Sequence, residues 1–208
     1  MAERGRPRGF DRQVALRRAM EVFWEHGYEG ASLTELTAAM GINAPSLYAA
    51  FSCKEALFRE SVRLYEQQEG LMVADAPTAR AAVAGLLRAG ALAYTEPDKP
   101  AGCMVVLAAT TYTPKTEGIR DHLRERRRAA SEQLRQRLEQ GVTDGDLPPG
   151  VDTRALADYF TTVLNGMSTQ ARDGVGRAGL LAVADAAMVG WDLLTAGEAG
   201  RSEPSASR

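Results

Sequence analysis

Histidine and cysteine, two residue types that often carry catalysis or bind metals, are scarce in this 208-residue sequence. Histidine occurs only at His26 and His122, and cysteine only at Cys53 and Cys103. There is no glycine-rich phosphate loop, no nucleophile elbow and no zinc-ligand spacing. We therefore expect no catalytic residues, no cofactor and no metal site. A thiol near a helix start can be reactive because the helix dipole favours its thiolate, although a buried apolar role is commoner for cysteine.

A different chemistry, hydrogen bonding to DNA, is indicated by the stretch 32–51. Ser32 and Glu35 have the Ser-x-x-Glu spacing of a capping box, which predicts a helix beginning directly after the serine. Gly41 should end that helix, because glycine adopts positive φ at little steric cost. Asn43 can cap a second helix. Two helices of about two turns joined by a glycine turn form the helix-turn-helix pattern.

The second predicted helix leaves a face of small side chains on the outside. Leu47 and Phe51, four residues apart, should face back toward the first helix. The outer set is Asn43, Ala44, Pro45, Ser46, Tyr48 and Ala49. A recognition helix enters the major groove with its N-terminal residues against base edges, and small side chains permit that approach. This face favours DNA binding; a helical hairpin within an ordinary all-α domain is the alternative.

The residues around this pattern resemble the tetracycline-repressor (TetR/AcrR) family of bacterial transcriptional regulators. The match runs from Ala15 to Phe58, and its central part is FWEHGYEGASLTELTAAMGINAPSLYAAFSCKEALF. The resemblance implies an all-α protein with an N-terminal helix-turn-helix domain and a C-terminal helical ligand-binding and dimerisation domain. It also implies a homodimeric repressor that a small-molecule inducer releases from a palindromic, double-stranded operator.

Individual DNA contacts follow from the same resemblance. Tyr48 and Lys54 match positions that contact phosphates in the family. Ser32 is a further candidate for DNA contact, although capping alone explains its identity. Ser52 and Glu55 repeat the Ser-x-x-Glu spacing and predict a second capping box, which would open the helix carrying Lys54.

Charge and composition, together with what the resemblance implies, divide the chain into four predicted parts. These are a flexible basic arm at 1–9, the helix-turn-helix domain at 10–58, a helical regulatory and dimerisation domain at 59–197, and a disordered tail at 198–208. In the arm, Arg6 and Arg8 either enter the minor groove or make only nonspecific phosphate contacts. No apolar run approaches the ~20 residues of a membrane span, so we expect a cytoplasmic protein without a membrane partner.

The C-terminal helices have apolar faces that either bind ligand, join two copies or fill the core. The predicted ligand pocket draws on Cys103, Met104, Leu107, Tyr112, Phe160, Val163 and Met167. The predicted dimerisation face draws on Leu156, Val163, Met167, Leu180, Ala184, Met188 and Trp191.

The segments around Cys103 suggest an alternative signal. Pro100–Cys103, together with Gly166–Ser168 and Ala171–Gly174, resembles a subgroup of the family that includes a copper-responsive repressor of an outer-membrane protein. More distant members sense electrophiles through a cysteine that follows glycine. On this resemblance, the alternative to an inducer-released repressor is a thiol- or metal-responsive repressor with Cys103 as its sensor.

Overall fold

The computed structural model describes residues 10–73, 76–109 and 113–196. Within these ranges the chain forms ten α-helices, one 3₁₀ turn and no strand, which confirms the predicted all-α class. The helices are α1 Arg12–Gly30, α2 Leu33–Met40, α3 Ala44–Phe51, α4 Lys54–Gln68, α5 Ala79–Ala93, α6 Met104–Leu107, α7 Glu117–Thr143, α8 Thr153–Arg172, α9 Arg177–Val189 and α10 Trp191–Thr195, and the 3₁₀ turn is Pro114–Thr116. The predicted arm with Arg6 and Arg8, Tyr112 and the predicted tail lie outside the described residues. None of the described helices has both the length and the apolar composition to cross a bilayer.

The first four helices enclose an aromatic core. Phe23 of α1 meets Phe58 of α4 edge to face, with ring centroids 5.0 Å apart. Leu36 of α2 and Leu47 of α3 are fully buried in the same cluster. The cluster continues through Met104 of α6 into the start of α7, so it extends past the predicted division between residues 58 and 59.

A second core lies among α5, α7, α8, α9 and α10. Phe160 of α8 packs against Trp191 of α10, with ring centroids 5.6 Å apart. Leu87, Leu138 and Leu180 are fully buried around them. The C-terminal helices therefore form a body that is stabilised by its own apolar core.

Most of the predicted dimerisation residues belong to this second core. Leu156, Met167, Leu180, Ala184 and Trp191 have exposed fractions of only 0–4%. They are buried within one chain and offer a partner almost no surface, so this part of the predicted face is corrected. Val163 and Met188 are only partly buried. The outward sides of α8 and α9 expose other residues, namely Tyr159, Val183 and Val189.

The end of α1 is joined directly to the segment around α6. Gly27 has a φ of 71° and interrupts the helical conformation. The N–H of Tyr28 then donates to the carbonyl oxygen of Ala108 at 2.8 Å. A Cβ at Gly27 would lie 3.0 Å from that oxygen. Both the positive φ and the close approach therefore require glycine at this position.

Candidate nucleic-acid interface

Ser32 fixes the start of α2. The N–H of Glu35 donates to Ser32 Oγ at 3.1 Å, and the N–H of Ser32 donates to Glu35 Oε2 at 3.4 Å, which forms the predicted capping box. His26 Nε2 lies 3.0 Å from Glu35 Oε1 and connects the box to α1. The hydroxyl of Ser32 is therefore committed to the helix cap.

The turn into α3 follows the sequence prediction closely. Gly41 adopts the left-handed conformation with φ 69° and ends α2. Asn43 Oδ1 accepts a hydrogen bond from the N–H of Ser46 at 2.9 Å. Pro45 lies in the first turn, where its missing N–H costs nothing. Leu47 and Phe51 are the buried side chains of α3, and they hold this helix against the core.

The outward face of α3 is free of intramolecular packing at most of its predicted positions. Asn43, Ala44, Pro45, Tyr48 and Ala49 are exposed, and Ser46 is half-buried. The Tyr48 side chain is 46% exposed. Phe10, which directly follows the predicted arm, lines an open hollow together with Asn43, Ser46 and Ala49. The face thus combines small side chains and one projecting phenol, with Phe10 at its edge.

The junction between α3 and α4 differs from the prediction. Ser52 donates its N–H to Tyr48 O at 2.9 Å and has a φ of 67°, so it ends α3. Cys53 takes the capping position of α4, where its Sγ accepts from the N–H of Ala56 at 3.4 Å. The predicted Ser52–Glu55 capping box is therefore wrong. The connection is so short that only one residue is left extended to cap α4.

Lys54 lies in the first turn of α4. Its Nζ is 4.5 Å from the centroid of the Tyr28 ring, which is a cation–π contact. Burial lowers the pKa of Lys54, while the nearby charge of Glu29 acts in the opposite direction. The ammonium group is thereby held at the N-terminal end of a helix, where both the dipole and the lysine favour a phosphate.

Sequence reasoning missed the contribution of Arg12 to this surface. Its guanidinium donates to both carboxylate oxygens of Glu60, at 2.9 and 2.7 Å, and to Ala50 O at 3.3 Å. It also lies over the Phe51 ring, 4.3 Å from the centroid. These contacts fix the C-terminal end of α3 against α1 and α4. The partners are 38 and 48 residues away along the chain, so no local spacing could indicate them.

A cavity of about 120 Å³ lies between α4, α5, α7 and α8. Its lining includes Tyr65, Tyr94, Cys103, Arg127, Gln133 and Asn165. Of the predicted pocket residues within the described ranges, only Cys103 lines it. Met104, Leu107, Phe160, Val163 and Met167 lie elsewhere, which corrects the predicted lining. Met104 and Phe160 are instead fully buried in the first and second cores.

Cys103 presents a thiol to this cavity. Burial raises the pKa of its thiol, while hydrogen bonding with Tyr65, the N–H groups of Val106 and Val105, and the charge of Arg127 act in the opposite direction. Both cysteines carry free thiols, and Cys53 is the exposed one. In the described part of the chain, no three His, Cys, Asp or Glu side chains converge in a metal-binding group.

Comparison with known proteins identifies this arrangement. The sequence model for bacterial regulatory proteins of the tetR family matches residues 15–61, and that for the tetracyclin repressor-like C-terminal domain matches residues 80–174. The chain is 36% identical over 193 residues to the HTH-type transcriptional repressor ComR of Escherichia coli strain K12, covering 90% of this chain and 92% of ComR. The chain belongs to the TetR family.

Two further relatives of this TetR-family chain are informative. It is 30% identical over 176 residues to the HTH-type transcriptional repressor BdcR of Escherichia coli strain K12, covering 82% of this chain and 83% of BdcR. It also resembles a solved structure of a cysteine mutant of the TetR family transcriptional regulator CifR complexed with 26-bp double-strand operator DNA. That likeness has 50% identity and a TM-score of 0.87, and it covers 89% of this chain and 100% of the CifR chain.

The family match coincides with the geometry described above. The segment 15–61 contains α2, the glycine turn, the exposed face of α3 and Lys54. The segment 80–174 contains Cys103 and most of the second core. The resemblance based on the residues from Ala15 to Phe58 is therefore confirmed, and this TetR-family chain is a DNA-binding transcriptional regulator.

Proposed function

We propose that this chain is a homodimeric repressor that binds a palindromic, double-stranded operator and is released by a small-molecule inducer. The observation that carries the proposal is the exposed face of α3, which is capped by Asn43 and anchored from below by Leu47. The operator complex of the similar regulator CifR supports double-stranded DNA as the partner. Such a protein acts by binding rather than catalysis, and its place of action is the cytoplasm, where bacterial DNA lies.

The contacts divide by position on α3 and its flanks. Asn43, Ala44, Pro45 and Ser46 form the N-terminal end of the helix and are placed to meet base edges in the major groove. Tyr48 and Lys54 lie to the side and would contact phosphates, which fix the register of the protein without reading sequence. Ser32 would support them through its cap, and Arg6 and Arg8 of the arm would add groove or phosphate contacts.

The second copy would pack against the outward sides of α8 and α9. Tyr159, Val183 and Val189 are exposed there, and Val163 and Met188 contribute partly buried surface. A pair of helices from each copy would form a four-helix interface across a two-fold axis. The two recognition helices would then occupy successive major grooves about 34–36 Å apart.

The inducer site we propose is the cavity beside Cys103. At about 120 Å³ it suits a compact molecule. Its lining combines apolar side chains with the hydroxyl, amide and guanidinium groups of Tyr65, Asn165 and Arg127, which can orient a ligand by hydrogen bonds. In the dimer, the DNA-binding head of each copy (residues 10–58) would lie at a fixed distance from the other. An inducer that binds better to a form in which this distance is different would lower the affinity for the operator.

A second candidate signal is covalent modification of Cys103. Its thiol lines the cavity, beside the hydroxyls of Tyr65 and Tyr94. Among the described residues no three His, Cys, Asp or Glu side chains converge around this sulfur, so the donors support the thiol-responsive form of this alternative over the metal-responsive one. Retained induction by the natural signal in Cys103→Ser would favour the non-covalent form.

Selection of bound fragments from genomic DNA tests the proposal. The full-length protein should enrich duplexes that contain a two-fold symmetric site. Enrichment that shows no common site, or that equals the enrichment by a Tyr48→Ala Lys54→Ala double variant, would contradict the proposal.

A further inference from the structure

We propose that the turn Ala101–Cys103 couples the cavity to the DNA-binding head, with Arg172 and Trp24 as its positioning residues. This inference rests on the proposed function and concerns the regulation of the same DNA-binding surface. The turn borders the cavity through Cys103 and contacts helices from both parts of the chain. A change in the cavity can therefore reach α1 by a short, hydrogen-bonded route.

Two helices of the body hold this turn. The N–H of Cys103 donates to Ser168 Oγ on α8 at 2.8 Å. The N–H of Gly102 donates to Tyr94 O, at the end of α5, at 3.1 Å. Arg172 Nε, from the last residue of α8, donates to Ala101 O at 3.1 Å. Each residue of the turn thus has its own partner in the body.

The same guanidinium also binds the head. Arg172 Nη1 donates to Glu25 O at 2.7 Å, and its Nη2 donates to Trp24 O at 2.9 Å. These carbonyls lie just before Gly27, where α1 is interrupted and late carbonyls lack helical partners. A cation is also favoured at a helix C-terminal end. Arg172 therefore joins α8, the turn and α1 through one rigid, planar group.

Trp24 makes a second connection between α1 and the turn. Its Nε1–H is buried and donates to Gly102 O at 3.0 Å. Its ring meets Tyr65 edge to face, with centroids 4.8 Å apart, and Tyr65 lines the cavity. The indole thus touches both the turn and the cavity wall, and it belongs to α1.

The turn has little freedom to move without breaking these contacts. Gly102 has a φ of +80°, and a Cβ there would lie 2.6 Å from both Ser168 O and Leu107 Cδ1. A ligand or adduct that displaces the backbone of Cys103 therefore disturbs the contacts of the whole turn. The hydrogen bonds of Arg172 and Trp24 carry that disturbance to the C-terminal end of α1, which packs against both α2 and α4.

Hydrogen exchange tests the coupling without knowledge of the inducer. Because coupling is reciprocal, DNA that fixes the head must also stabilise the turn. The full-length protein is compared with Arg172→Gln, Trp24→Phe and the matched control Arg177→Gln, whose arginine is exposed at the start of α9. Exchange is followed by mass spectrometry in peptides that span 100–108 and 43–51, with and without a duplex enriched from genomic DNA.

We expect the duplex to slow exchange at Gly102 and Cys103 about fivefold or more in the parent and in Arg177→Gln. In Arg172→Gln and Trp24→Phe this slowing should fall below about twofold, while peptide 43–51 of α3 is still protected. Protection of α3 without slowing of the turn in the parent overturns the coupling and leaves DNA binding intact. If the duplex slows exchange at the turn as much in Arg172→Gln and Trp24→Phe as in the parent, the roles assigned to Arg172 and Trp24 are overturned. If α3 is not protected in the parent, the proposed function fails and the coupling fails with it.

Discussion

Two side chains, one on the recognition helix α3 and one in the first turn of α4, are proposed to contact the DNA backbone. Tyr48 projects from α3 with its phenol exposed, and Lys54 is held over the ring of Tyr28. Both residues were identified by resemblance, and the structure adds the physical reason for Lys54, since the cation–π contact restricts the position of a flexible chain. The exposed small residues of α3 could be predicted because caps and helical spacing are local.

Removing either side chain should weaken DNA binding without changing the preferred sequence. We expect Lys54→Ala to lower the magnitude of the slope of log K against log salt by about 0.9, the contribution of one phosphate that a cation neutralises. Tyr48→Phe removes a neutral hydroxyl, so it should lower K and leave the slope unchanged. Arg177→Ala, on the exposed start of α9, is the matched control and should leave the slope unchanged. Fluorescence anisotropy over a salt series measures these slopes. A slope for Lys54→Ala equal to that of the parent would remove Lys54 from the phosphate contacts, and an unchanged K for Tyr48→Phe would remove Tyr48.

His122 should make the protein less stable in mild acid. Burial lowers its pKa, the charges of Arg59 and Arg126 lower it further, and Glu66 and Glu125 oppose them. Its Nε2 is buried with no hydrogen-bond partner among the described residues. The unfolded chain therefore takes up a proton at a higher pH than the folded chain, so stability falls as the pH drops below the unfolded pKa of about 6.5.

The His122→Gln variant should lose part of this pH dependence. Its melting temperature is expected to fall less than that of the parent between about pH 7.5 and about pH 5.5. His26→Gln is the control, because His26 is exposed and paired with Glu35. Differential scanning calorimetry at several pH values provides the comparison. An identical fall in His122→Gln and the parent would contradict the assignment.

At the scale of helices, the starts of α2 and α3 were predictable and the start of α4 was not. Ser32 and Asn43 cap the helices that directly follow them, so their roles depend on three or four residues. Ser52 has the same spacing to a glutamate, but its backbone is used to end the preceding helix. The contacts of Arg172 with α1 cross 147 and 148 residues of chain, a distance that no local pattern spans.

Two glycine substitutions separate a required glycine from a replaceable one. Gly27→Ala should destabilise the protein by about 1–3 kcal/mol, because alanine is strained at positive φ and its Cβ would meet Ala108 O. Gly85→Ala, in the interior of α5 with open space around it, should stabilise by about 0.5–1 kcal/mol. Urea unfolding at equilibrium measures both values. An unchanged stability in Gly27→Ala would show that the junction between α1 and Ala108 O tolerates a side chain.

At the scale of the whole molecule, most of the apolar residues predicted for the dimer interface are instead buried in the second core. Leu180 and Ala184 lie on the same helix as Val183, yet only Val183 faces outward. The sequence shows that α9 is apolar nearly all round, and this pattern cannot tell which side meets a partner. The packing of α9 against α5 determines which side of α9 is exposed, because that contact buries one side and leaves the other open.

A charge on the open side should separate the two copies. Val183→Glu is expected to give a monomer by sedimentation velocity and to lower operator affinity about 100-fold or more, because the two heads no longer bind together. Met72→Glu is the control, because Met72 is exposed and precedes α8 and α9 by many residues in the sequence. A Val183→Glu protein that sediments like the parent would show that the interface lies elsewhere.

Footprinting of the selected operator by hydroxyl radicals tests the central claim most directly. If α3 is presented twice by a C-terminally joined pair, the full-length protein should protect two segments related by two-fold symmetry, with centres about one helical turn or a multiple apart. The Tyr48→Ala Lys54→Ala double variant should protect neither segment at the same concentration. A single protected segment, or protection that the double variant retains in full, would contradict the account.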